Sequence, residues 1–120
     1  MEYLALIYAD EGGWQALGDD ERRAWYDRYR AFADDARAAG VLMAGDELGS
    51  TQDATTVRVR EEQVAVTDGP YAEAKEALGG YFLLDCDSID EAVDWAARIP
   101  AAEHGAVEVR AVHVDEEEES

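Results

Sequence analysis

The chain has little positive charge, one cysteine, two prolines and no long apolar run. Lysine occurs once, at Lys75, beside nine arginines and twenty-nine acids, giving a formal net charge of −19 and a pI near 4.1. Phosphate backbones are bound through basic patches, which ten scattered cations do not supply, so nucleic acid is excluded as a partner. Anionic membrane surfaces fall on the same ground. Cys86 has no second cysteine to pair with, and no neighbouring His or Lys lowers its pKa, so neither a disulfide nor a reactive thiol is expected. At the end of an apolar run, between Leu84 and Asp87, it reads as a strand residue. No apolar stretch approaches the roughly 18 residues of a membrane-spanning helix. The start MEYLALIYADE shows neither a basic leader nor a small-residue cleavage site. The expectation is a soluble, cytoplasmic protein. The two histidines, His104 and His113, lack metal-site spacing, and Gly12, Gly13 and Gly18 make no phosphate-binding pattern, so no metal or cofactor is expected.

What is there describes one globular domain. Of 120 residues, 48% are hydrophobic and three are tryptophan, enough for a single core despite 32% charge. The domain is expected over residues 1–114. Residues 115–120 form an acidic tail whose five like charges, Asp115 to Glu119, should repel and stay disordered. Without those five, 24 acids still face 10 bases, a net of −14, so the body itself is acidic. Together with the preference for arginine, this fits codon bias better than a high-salt proteome.

Tyr3 to Ala9 is an uninterrupted apolar run, too short for a helix and closed by Asp10 and the Gly12-Gly13 pair, which predicts a strand covered on both faces. A loop holding Trp14 and Leu17 follows. Asp19-Asp20-Glu21 then places acids at a helix start, and Trp25, Tyr29, Phe32 and Ala36 recur on one face of a long helix ending at Gly40. Val41 to Leu48 reads as a strand. Thr55 to Arg60 and Gln63 to Thr67 read as a hairpin around Glu61-Glu62, a turn without the Gly or Asn that two-residue hairpins prefer. Gly80 to Leu84 is a buried strand, and Ser88 with Glu91 predicts a capping box. The helix it starts sets Ile89, Ala92, Val93, Ala96 and Ile99 inward, leaves Trp95 at an edge or interface, and ends at Pro100. Val107 to Val114 is the last strand.

This order predicts an α+β fold, a ferredoxin-like split βαβ with two helices on one face of an antiparallel sheet. The strands at Tyr3 to Ala9 and Tyr81 to Leu84 are apolar at odd and even positions alike, yet no third long helix is available to cover the second face. A second copy would cover it, which predicts a homodimer with sheets packed face to face as a dimeric α+β barrel.

The segment Asp68-Gly69-Pro70-Tyr71-Ala72-Glu73-Ala74-Lys75-Glu76 resembles the DGPFAETKE signature of the DGPF group of YCII-related proteins, with Tyr71 for Phe and Ala74 for Thr. The similarity extends through Leu6-Ile7-Tyr8, Gly40-Val41-Leu42, Gly79-Gly80-Tyr81 and Ala96 to Pro100, leaving out only the tail. The resemblance implies the dimeric barrel and a cleft whose biochemical role is mostly unassigned. It also implies two functional readings. Some YCII-related proteins are small acid/base enzymes using a His-Asp pair, a lactone-processing dehalogenase among them, and the DGPF group is often encoded beside sigma factors of the extracytoplasmic-function class. Here the positions of the His and Asp fall on Tyr29 and Ala38, so that pair is absent.

Within the motif, Asp68-Gly69-Pro70 is turn chemistry. Glu73, Lys75 and Glu76 bring an amine between carboxylates, where it would hold an anionic group or act after losing its proton, or else form a local salt-bridge network. Candidate ligand-binding residues are Asp68, Tyr71, Glu73, Lys75 and Glu76, with Tyr29 offering a hydroxyl from the first long helix. Asp10 and Glu11 are read as a solvated loop, and His104 and His113 as loop and strand residues. The leading expectation is a homodimeric module for a small anionic or phenolic ligand. The alternatives are an acid/base enzyme, isomerase or lactone/dehalogenase-like, centred on the motif, and an accessory partner of a sigma factor.

Overall fold

The computed structural model describes residues 1–114. The acidic tail expected at residues 115–120 lies outside the described residues. Six strands and three helices follow one another as β1 (Glu2–Asp10), α1 (Glu11–Ala16), α2 (Asp19–Ala38), β2 (Leu42–Glu47), β3 (Thr55–Arg60), β4 (Gln63–Asp68), β5 (Glu76–Asp85), α3 (Ile89–Ala96) and β6 (Ala106–Ala111). Single 3-10 turns stand at Thr51–Asp53 and Pro100–Glu103. The main sheet has the order β2-β5-β1-β6, with β5 antiparallel to both β1 and β2. This is the ferredoxin-like split βαβ, with α2 and α3 packed on one face.

Alternation along β1 decides that face. Tyr3, Ala5 and Ile7 point into the core with Phe32 and Ala36 of α2, Leu84 of β5, and Ala92 and Ala96 of α3. Leu4, Leu6 and Tyr8 point the other way, opposite Leu83, Tyr81 and Leu78 of β5, and no element of the described residues packs over them. The apolar second face inferred from the strands is therefore uncovered among the described residues of one chain.

The helix ends follow local chemistry. After Ala39 the chain reverses at Gly40, whose φ of +74° suits glycine, and Gly40 N–H and Val41 N–H return to the carbonyls of Arg37 and Ala36 at 3.0 and 2.9 Å. At the start of α3, Ser88 Oγ accepts from Glu91 N–H at 3.2 Å, as the capping box requires. Glu91 Oε2 accepts from Asp87 N–H at 2.9 Å, one residue earlier than the usual reciprocal bond.

Four expectations are corrected. The loop holding Trp14 is helix α1, because Asp10 Oδ1 accepts from Gly12 N–H at 3.0 Å and Gly13 N–H at 3.3 Å, a cap that offsets the poor helix propensity of the two glycines. Strand β5 starts at Glu76 rather than Gly80, since a register shift between Ile7 and Tyr8 lets Leu78, Ala77 and Glu76 continue pairing with β1. The apolar face of α3 is rotated: Ile89 and Val93 are exposed, while Trp95 packs against the core edge-on to Phe32 at 6.3 Å. The last strand stops at Ala111, three residues before Val114.

The β3–β4 hairpin is its own two-stranded sheet, with Arg60 paired to Gln63 across a two-residue turn. Glu61 and Glu62 carry φ of +51° and +67° there, the left-handed pair that a tight hairpin demands. Val57 faces Val66 and Val59 faces Val64, and these four side chains are 55–67% exposed. Such an arm explains a Cα radius of gyration of 16.7 Å, against about 13–14 Å for a compact chain of this length.

Candidate functional site

A cleft of about 870 Å³ opens between α2 and the sheet, at the end where β1 runs into α1. Its wall from α2 is Trp25, Tyr26, Tyr29 and Ala33, and from α1 Trp14. Its floor is Ile7, Phe82 and two stretches of bare backbone at Gly45 and Gly80. The glycines matter because β2 and β5 present no side chain at these points. Phe82 in turn leans on Phe32, with ring centroids 5.0 Å apart.

Local contacts hold the walls. Trp14 stands edge-on to Tyr26 with centroids 5.2 Å apart. Arg22 Nη1 donates to the carbonyls of Trp14, Gln15 and Leu17 at 3.4, 3.3 and 2.7 Å, fastening the end of α1 to α2. Glu11 reaches across the mouth to the turn after β2, accepting from Thr51 N–H at 2.8 Å and Thr51 Oγ1–H at 2.5 Å. These bonds hold the Glu11 carboxyl below its ordinary range. On the far side Arg28 pairs with both carboxylate oxygens of Glu103, which ties the Pro100–Glu103 turn to α2 and sets His104 edge-on to Trp25 at 4.9 Å.

Polar groups in the cleft are few. Tyr26 Oη donates to Glu47 Oε1 at 2.9 Å. Burial, then that bond to Glu47, pushes the Tyr26 phenol up. Tyr29 is half-buried, and burial raises its phenol, partly opposed by the Ala101 backbone. Both phenols therefore stay protonated at neutral pH, Tyr26 giving its O–H to Glu47 and Tyr29 keeping one to donate. On the other face of the sheet, opposite Leu6, Tyr81 Oη donates to Asp46 Oδ2 at 3.0 Å.

Of the sequence candidates, only Tyr29 lines the cleft. Asp68, Tyr71, Glu73, Lys75 and Glu76 are all exposed, Tyr71 to 79%, and the structure brings none of them into the wall. Among the described residues Lys75 forms no ion pair, so the local salt-bridge network does not form. The motif instead runs along the rim: Glu76 pairs with Asp10 in the sheet, and the next residue, Ala77, is cleft wall. Sequence reading missed Trp14, Trp25 and His104 as cleft residues. Their common signal, aromatic groups near the ends of helical segments, does not distinguish a wall from a core. Asp10 and Glu11, read as a solvated loop, cap α1 and brace the mouth. Among the described residues no three His, Cys, Asp or Glu side chains gather as a metal site would require.

The model of the YCII-related domain matches residues 1–114. The chain belongs to the YCII-related family. An uncharacterized protein of Rhizobium meliloti (strain 1021) is 37% identical to this YCII-related protein over 112 residues, covering 92% of this chain and 90% of the relative. Among solved structures it is similar to the 5-chloro-2-hydroxyhydroquinone dehydrochlorinase TftG of Burkholderia phenoliruptrix AC1100, in a complex with 2,5-dihydroxybenzoquinone. That likeness has a TM-score of 0.55 at 16% identity and covers 98% of both chains, so it speaks to the ferredoxin-like fold. No helix of the described residues is long and apolar enough to cross a membrane.

Proposed function

We propose that this YCII-related protein, of the DGPF group by its Asp68–Glu76 motif, is a homodimeric module that binds a small aromatic molecule in the cleft beside α2. The observation that carries the reading is the wall itself. Five aromatic side chains, Trp14, Trp25, Tyr26, Tyr29 and Phe82, surround about 870 Å³ with few polar groups, the balance that small-molecule sites share. The phenol of Tyr29 supplies a donor that orients a ligand oxygen, and Tyr26, whose O–H goes to Glu47, offers an acceptor lone pair. The planar six-membered ring of the dihydroxybenzoquinone bound to TftG supports a flat, hydroxylated ring ligand by analogy of fold. A second copy of the chain covers Leu4, Leu6 and Leu83 on the open sheet face, and the four valines of the β3–β4 arm add apolar surface that one chain leaves in water.

A second reading, acid/base catalysis, is favoured by one observation: His104 lies in the cleft wall, where histidine is a common proton carrier. It replaces the motif lysine as the centre of such a mechanism. The experiment for the leading reading is a thermal-shift screen of small phenols, quinols and aromatic acids and amines on the full chain. A compound at a hundred times its dissociation constant stabilises by about 2.7 kcal/mol. Ala33→Phe, which fills the cleft from α2, should abolish that shift while the variant still melts cooperatively. A library with no stabilising compound, or a variant that binds as wild type does, contradicts the reading.

A further inference from the structure

Charge in the cleft sets its preference among aromatic ligands, and this inference rests on the cleft being the binding site. Three carboxylate side chains stand around it, Asp10, Glu11 and Glu47, while its cationic side chains are Arg30 and, when protonated, His104. Among the described residues none of the three acids is paired with a cation. Asp10 accepts from the amides of Gly12 and Gly13, Glu11 from Thr51 and Glu47 from Tyr26, all of them neutral donors. Such bonds do not cancel the charge of a carboxylate. Arg30, by contrast, is engaged, its Nη2 donating to Asp27 Oδ1 at 3.0 Å. The acids are spread around the cleft rather than gathered as a chelate, so their effect is a negative potential over the whole volume.

The aromatic rings add to this potential. The faces of Trp and Tyr rings carry negative charge density and attract a cation lying over them. Trp25 already does so on one side, where the Arg28 guanidinium carbon lies 4.7 Å from the ring centroid. Lys75, the group that sequence reading assigned to an anionic ligand, does not line the cleft. An anion entering here would meet three carboxylates and an arginine already held by Asp27, whereas an ammonium group would meet carboxylates and ring faces.

From the aromatic wall and the uncompensated acids around it, we propose that the cleft takes a cationic aromatic ligand, an arylalkyl amine, in preference to a phenolate or carboxylate of the same size. The test is calorimetric titration of the full chain with three matched probes, 2-phenylethylamine, 2-phenylethanol and phenylacetate, at low and at high salt. Two screened charges at cleft distances correspond to a preference of about tenfold or more for the amine over phenylacetate, with the alcohol between. In 1 M salt, where the screening length is about 3 Å, the three affinities should converge. Glu47→Gln, which keeps an acceptor for Tyr26 but removes the charge, should weaken the amine severalfold more than it weakens the alcohol; equal loss for both would contradict the charge preference. If the alcohol binds but phenylacetate binds as well as the amine, the charge preference is overturned and the cleft reading stands. If no probe binds at any salt, both fall.

Discussion

Replacing Gly45 by alanine tests whether the cleft floor depends on bare backbone. A Cβ built there stands 2.4 Å from Phe82 Cδ1, 2.9 Å from Cε1 and 3.1 Å from the Tyr81 carbonyl oxygen. The carbonyl is fixed in the β2–β5 pairing, so the Phe82 ring has to move. Phe32 packs against that ring with centroids 5.0 Å apart, and the cleft is the open space beside it, so the ring turns toward the cleft. Forced repacking of this kind costs about 1–3 kcal/mol. At about 4 °C per kcal/mol for a domain of this size, Tm should fall by about 4–12 °C. A ligand that stabilises the wild type should bind at least ten times more weakly, because the displaced ring occupies its volume. The assay is a circular-dichroism melt with a tryptophan-fluorescence titration. Gly49→Ala is the control, since a Cβ at Gly49 meets nothing within 4 Å although the residue also lines the cleft. If Gly45→Ala and Gly49→Ala melt and bind alike, the proposed floor is wrong.

Other consequences are open to simple measurements. Replacing Glu61-Glu62 by Asn-Gly relieves left-handed strain of about 1 kcal/mol per residue, and hydrogen exchange in β3 and β4 should slow severalfold; unchanged exchange would mean that the turn is not left-handed. Because the Glu11 pKa is lowered, that residue contributes stability above about pH 4.5, lost as pH falls through the lowered value. The melting difference between wild type and Glu11→Gln should accordingly be present at pH 7 and close on acidification. Lys75→Arg should leave stability within about 0.5 kcal/mol and cleft binding unaltered; lost binding would restore the amine to the site. Cys86 is buried, and burial first, then the neighbouring acids, pushes its thiol up. A thiol reagent at pH 8 should label it only on unfolding, and rapid labelling of the native protein would refute its place in the core.

Patterns with a strong local cause were legible in the sequence. The 3.6-residue stripe of α2, the glycine stop at Gly40, the Ser88 cap and the doubly apolar β1 and β5 each follow from chemistry within a few residues, and together they specify the ferredoxin-like sheet. Features depending on tertiary partners were not. Helix α1 contains two glycines and exists through the Asp10 cap and the Arg22 clamp. Trp95 turns inward because Phe32 offers it an edge-on contact, while Val93, better placed by periodicity, faces out. For the site, Asp68–Glu76 drew the eye because its turn chemistry and the lone lysine are conspicuous in sequence. The cleft is made by residues from distant segments, bare Gly45 and Gly80 beneath aromatic rings of α1 and α2, and no short window displays that arrangement. Tyr29 was legible since its helical position already aimed it at the sheet.

The central claim, that the cleft rather than the exposed motif is where this protein meets a small molecule, is tested most directly by amide and indole NMR shifts of the ¹⁵N-labelled chain during titration with a stabilising aromatic compound. The account predicts saturable shifts at the Trp14 and Trp25 indoles and at Gly45, Gly79 and Gly80, with little change from Asp68 to Lys75. Shifts concentrated at Asp68 to Lys75, with the two indoles and Gly45 unmoved, would contradict it.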